Sequence, residues 1–313
     1  MKFLRYLVVV GASLCVAALA RAQDCGGNPH TLNYARGSSQ RAFLLSDGSL
    51  ATRFRSAVNA DGMKRAYHRD DVAGGGLISL CNGGEPHPAD RPPYNASASN
   101  AACRQFSADY RAIRRAGFKD PRVGAIRWFG VLGRDSVRVR NVLVRGVVPV
   151  EQADGSGFYV SPTALEDAAA FPNPADQRRY IDAETIPAAV VRNSPALSRL
   201  GVVKGTMGVA IHKRFRRPVP FIVGDHGPRI GEGSFALGRL LQGLPLVTAT
   251  RQNIFSAHVD DKDVLWVFFG GEVMAPPYTQ ATVSAKGLEK FRAWGGEARL
   301  NLCLANPRIP VAR

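Results

Sequence analysis

Short, β-branched apolar runs recur along this chain without a regular helix between one run and the next. Residues 137–148 interleave valines with arginines, and residues 188–192, 202–211, 264–269 and 299–304 are short and apolar, all readable as strands. Val219, Phe221, Ile222 and Val223 read as a further buried strand ending at Gly224. Helical spacing is rarer. Phe106, Tyr110 and Ile113 share one face, as do Leu288, Phe291 and Trp294, and residues 235–241 are compact and apolar. Helices as isolated insertions argue against regular βαβ repeats. The pattern predicts a mainly β (α+β) fold: a β-barrel-like core with a few helices packed outside.

The first residues bear on compartment. Lys2 and Arg5 precede an apolar stretch over residues 7–20, and Ala20-Arg21-Ala22 forms an A-x-A cleavage signal. This reads as a signal peptide over residues 1–22, and no later apolar run is long enough to span a bilayer. Export predicts a secreted or periplasmic protein and reinterprets the cysteines. Cys25, Cys81, Cys103 and Cys303 follow the signal, an even set that allows three disulfide connectivities. The most economical one pairs Cys81 with Cys103 across a loop and Cys25 with Cys303 across the termini. No C-x-x-C pair points to zinc. Residues 85–100, rich in Pro, Asn and Ser, read as a long surface loop.

The formal charge is +16, or +13 once Lys2, Arg5 and Arg21 are removed. Such an excess favours an anionic cell envelope as an electrostatic partner. Nucleic acid is not expected, because no helix-turn-helix, zinc motif or aromatic-basic platform accompanies the charge. The densest basic knot, residues 213–217, lies between two apolar runs and reads as a hairpin turn.

From Gly224 to Ser234 the chain reads Gly-Asp-His-Gly-Pro-Arg-Ile-Gly-Glu-Gly-Ser. Asp225 sits at the end of an apolar strand, and Glu232 falls seven positions later, just before Ser234, a good N-cap for the next helix. Two carboxylates are the minimal equipment for breaking a glycosidic bond by acid/base catalysis. The same residue types also serve ordinary turns and helix starts. Other motifs fail. His226 stands where a G-D-S-G-G-P nucleophile would be, the serine of Gly231-Glu-Gly-Ser-Phe235 is one place late for G-x-S-x-G, and no G-K-[ST] ending marks a phosphate cradle.

These residues resemble the fungal-type chitosanases, glycoside hydrolase family 75. Gly224-Asp-His-Gly-Pro228 followed by Gly231-Glu-Gly-Ser234 is similar to that family's G-D-x-G-P…G-E-x-S segment. Asp61-Gly62, Ala66-Tyr67-His68, Gly76-Leu77, residues 182–191 and Val267-Phe268-Phe269-Gly270-Gly271 resemble flanking family segments in the same order, over about residues 43–303. The resemblance implies a single hydrolase-like domain over residues 23–313, with no cofactor or metal. It implies endo-hydrolysis of β-1,4-linked glucosamine polymers by inversion, with Asp225 and Glu232 as the catalytic pair. His68, Tyr67 and Asp61 follow as accessory candidates through their matching motif. His226 adjoins Asp225, but neighbours on a strand point to opposite faces, which favours packing or hydrogen bonding. Trp128, Trp266 and Trp294 could stack on sugars, although Trp266 and Trp294 sit in core-like surroundings.

A helix start near Glu232 suits a base, and a partly desolvated Asp225 suits an acid, but burial is not legible, so the roles stay open. A polycationic substrate conflicts with a basic chain. An anionic envelope glycan such as peptidoglycan is therefore an alternative substrate, and a non-catalytic basic envelope-binding protein on the same scaffold is an alternative function. Inversion predicts carboxyls ~6.5–9.5 Å apart. Seven extended residues would span about 23 Å, so Gly227, Pro228 and Gly231 must fold the chain back.

Overall fold

The computed structural model describes residues 24–34 and 37–311; the signal segment lies outside the described residues. Its centre is a closed barrel of six strands. These are β3 (Leu50–Asn59), β8 (Ala188–Val191), β9 (Thr206–His212), β10 (Pro218–His226), β11 (Glu232–Ser234) and β12 (Val259–Val273). They run in the order β3-β11-β8-β10-β9-β12, and β12 returns to β3. A hairpin of β1 (Gly27–Asn33) and β2 (Ser39–Leu45) extends the wall beside β3.

Strand alternation divides the wall into two faces. Phe54, Ala189, Val191, Phe221, Val223, Trp266 and Phe268 belong to one cluster, and it includes Leu237 and Leu241 of helix α3 (Phe235–Leu241). That helix touches β3, β8, β9, β10 and β11, so it stoppers the barrel and marks this face as the inside. The Phe221 ring reaches Trp266 and Phe268 across β9, where Gly208 has no side chain to block it. The outer face carries Ala51, Ala188, Met207, Ile222 and Leu265. Helices α4 (Gln280–Trp294) and α5 (Gly296–Ala305) cover part of it, as the sequence predicts for a barrel with helices outside.

The segment between β3 and β8 builds a lobe against the wall. It contains helix α1 (Asn100–Arg115), which buries Phe106, Tyr110 and Ile113. It also holds two small ladders, β4 (Gly84–Pro88) with β5 (Gly124–Trp128) and β6 (Gly133–Val139) with β7 (Val142–Pro149). A one-turn helix α2 (Pro195–Ser198) follows β8.

Three local expectations change. Residues 137–148 form the β6–β7 hairpin, turned by Arg140 and Asn141, both at positive φ, as a two-residue turn between twisted strands requires. Residues 85–88 form β4 and are not loop. Residues 299–304 are helical. Gly295 and Gly296, both at positive φ, break α4 and start α5, and Arg299, Leu300 and Cys303 are then buried at helical spacing. Arg299 ties α5 to the segment before β1 and to the turn after β2: its Nε donates to the Asp24 carbonyl at 2.8 Å and its Nη1 to Asp47 Oδ2 at 2.6 Å.

Cys25 bonds Cys303 and Cys81 bonds Cys103, the economical pairing. The first joins positions 278 residues apart. Among the described residues no helix is long and apolar enough to cross a membrane.

Candidate active site

The barrel wall places Asp225 and Glu232 on either side of one residue. β8 lies between β10 and β11, and Val190 at its centre pairs in register with both Asp225 and Glu232. Two strand spacings of ~4.8 Å put their backbones roughly 9.5 Å apart. The chain folds back as the spacing requires, although Glu232 opens a short strand and not a turn.

A bulge decides which way Asp225 points. β10 runs two residues past its expected end, and its register against β8 shifts between Val223 and Asp225, leaving Gly224 over. Val223 faces the barrel interior. With strict alternation Asp225 would face inward too; the extra residue turns it outward. His226 then falls opposite Val191, an inward-facing residue, so it leaves the Asp225 side and is exposed.

Asp61 joins the pair. It follows β3, where Asn59 Oδ1 accepts from the Asp61 backbone N–H at 2.7 Å. The Tyr67 hydroxyl donates to Asp61 Oδ1 at 2.9 Å. Gly130 closes this corner: a Cβ there would lie 2.6 Å from Tyr67 Oη and 2.9 Å from Asp61 Oδ1. Asp225 Oδ1 accepts from the Ala164 backbone N–H at 2.8 Å. Glu232 takes a hydrogen bond from the Asn59 side chain. Gly227 packs beside it, where a Cβ would stand 3.5 Å from Glu232 Oε2 and 2.7 Å from Val190 Cγ1.

All three acids are pushed toward their protonated forms. Burial, then the Asp225 charge, raises Asp61 to about 8, against the Tyr67 hydrogen bond and with a further push from Glu232. Burial raises Asp225 to about 6, opposed by the His226 and Ala164 backbone donors and reinforced by Glu232. Glu232 is raised by burial, opposed by Asn59, Arg55 and Arg229. Three acids displaced by burial, with Asp61 and Asp225 titrating apart, suit acid/base work. Among the described residues no group of three or more His, Cys, Asp or Glu is arranged to hold a metal ion.

The crevice framed by Asn59, Asp61, Val190 and Asp225 measures only about 10 Å³, too small for a sugar, so a substrate must lie over its rim. Beyond Gly62 opens a cleft of about 710 Å³ lined by Asp154, Asp176, Asp182 and Glu184 against Lys64 and Arg178. Lys64 pairs with Asp154 and Arg178 with Asp176, so Asp182 and Glu184 carry the net negative charge of this hollow.

His68 does not join the cluster. Its Nε2 lies 3.1 Å from the Ser156 carbonyl, its Nδ1 accepts from the Asp70 N–H at 3.0 Å, and its ring meets Phe158 edge-on. Trp266 and Trp294 are core residues, and so is Trp128, whose Nε1 donates to the Val147 carbonyl at 3.0 Å. Sequence reading missed Asn59, Gly130, Ala164, Arg55 and Arg229; only the Asn59-Ala-Asp61 turn left a local signal. No protein-family model matches the chain, and no curated protein matches it.

Proposed function

We propose that this chain is a secreted, endo-acting glycoside hydrolase of the chitosanase-like kind, cleaving β-1,4 linkages in an amino-sugar polymer by inversion. The observation that carries the reading is the placement of Asp225 and Glu232 on either side of Val190, outward-facing, partly desolvated and joined by Asp61. Their backbones stand roughly 9.5 Å apart across β8, and inversion requires their carboxyls to lie ~6.5–9.5 Å apart over a groove that admits a water. The two disulfides favour an oxidising compartment.

The roles divide by environment. Asp225, protonated below about pH 6, gives its proton to the glycosidic oxygen as the bond to the anomeric carbon breaks. Glu232, raised by burial but opposed by Asn59, Arg55 and Arg229, acts as the carboxylate that takes a proton from the water attacking that carbon from the opposite face. Asp61, neutral below about pH 8 and held by Tyr67, keeps an extra negative charge away from the pair. The acidic cleft beyond Gly62 suits the ammonium groups of amino sugars.

Release of reducing ends from chitosan, glycol chitin and peptidoglycan tests the reading. Asp225→Asn and Glu232→Gln should each lower kcat by ~10²–10⁴-fold with unchanged melting cooperativity. Near-normal turnover in both variants would remove the pair from catalysis. A second reading, a basic envelope-binding protein that does not cleave, draws on the small crevice between the acids. It predicts salt-sensitive retention on cell walls with no new reducing ends.

A further inference from the structure

Beside Glu232, on the side away from Asp61, the charge changes sign. Arg55 on β3 shares the outward set of that strand with Ala57, and Ala57 is the register partner of Glu232. Two residues of strand separate Arg55 from that level, ~6.7 Å, about the reach of one sugar unit. Arg229 comes from the turn that links the two carboxylates in sequence. Lys262 comes from the irregular stretch of β12. All three converge on one ring: Arg55 Cζ, Arg229 Cζ and Lys262 Nζ lie 5.9, 5.0 and 5.7 Å from the centroid of Phe54.

Three like charges thus surround one ring, and Glu232, on which Arg55 and Arg229 act, is the acid beside them. Among the described residues none of the three has a carboxylate oxygen within 4 Å. Apart from Glu232, the nearby acids are turned elsewhere: Asp261 is 3.0 Å from His212 Nε2, Asp263 acts on Arg53 and Asp260 on His258. Arg55 Nε is buried and finds no acceptor. A buried donor without a partner costs stability unless something supplies the acceptor. Arg55 and Arg229 are half-buried beside Glu232, where low polarity strengthens their pull on an anion.

We propose that Arg55, Arg229 and Lys262 form an anion subsite that holds a carboxylate on the sugar bound next to Glu232. The substrate is then an amino-sugar polymer that also carries carboxylates, its cationic or neutral stretch along the Asp182 and Glu184 cleft and its acidic sugar against the arginines. This rests on the hydrolase reading of Asp225 and Glu232 for its catalytic consequence, but not for its binding.

The test compares peptidoglycan glycan strands bearing free carboxylates with the same strands methyl-esterified, and with chitosan. Wild-type protein should cleave the free-acid strands with kcat/KM at least ~10-fold above the ester. The Arg55→Gln/Arg229→Gln double variant should erase that ratio mainly through KM, while Arg55→Lys/Arg229→Lys keeps most of it; melting curves confirm that both fold. Equal cleavage of acid and ester by wild type, or a double variant that keeps the ratio, would overturn the subsite. If wild type cleaves nothing, the hydrolase reading fails separately. Calorimetric titration of the same strands onto Glu232→Gln protein then decides the subsite: tighter binding of the free acid sustains it, and equal binding overturns it.

Discussion

Asp61 keeps its proton to about pH 8 because burial and then the Asp225 charge oppose its ionisation. Between ~4, the ordinary carboxylate range, and about 8, the folded chain binds a proton that the unfolded chain has released. Stability from this group is therefore present at low pH and lost as pH rises through that window. Asp61→Asn keeps an acceptor for Tyr67 and removes the titration. Its melting temperature should exceed that of wild type by ~3 °C or more at pH 8, with little difference at pH 5; calorimetry at the two pH values checks this. Asp225 sets a second window. As the acid it must be protonated, so kcat/KM should fall as pH rises through about 6, as a pH–rate profile would show. Asp225 and Glu232 were legible because both lie in one Gly/Pro-rich stretch. Arg55, Asn59, Gly130 and Ala164 were not, because they reach the pair only through the closure of the barrel and the packing of the lobe.

At the level of elements, Ser234 ties three together. Its Oγ accepts from the Leu237 N–H at 3.1 Å as the cap of α3, accepts from the Ala188 N–H at 2.9 Å at the start of β8, and donates to the Ile186 carbonyl at 2.8 Å. Ser234→Ala removes a cap and leaves buried backbone groups unpaired, which should cost ~2–3 kcal/mol in chemical denaturation. Because Glu232 lies two residues away on the same strand, activity should fall as well. The cap was readable from Ser234 before an apolar helical run. β11 was not, since three residues centred on Gly233 carry no period, and the bulge at Gly224 leaves no mark beyond the glycine itself. The strand expected over residues 299–304 became α5 for a comparable reason: six apolar-rich residues fit either period, and the Gly295-Gly296 break selects the helix.

Across the whole molecule, charge is partitioned. A chain of +16 carries an acidic cleft on one side of its candidate pair and three converging cations on the other, with the barrel wall setting the distance between them. Barrel closure was foreseeable from many short strands and isolated helices; strand order was not, because β11 enters between β3 and β8 from far along the chain. The central claim is that Asp225 and Glu232 cleave a β-1,4 bond with a water between them. Time-resolved proton NMR of the first-formed reducing end tests it most directly. The α-anomer should appear first from a β-linked amino-sugar polymer and should vanish with Asp225→Asn or Glu232→Gln. Initial formation of the β-anomer, or product from both variants at the wild-type rate, would contradict it.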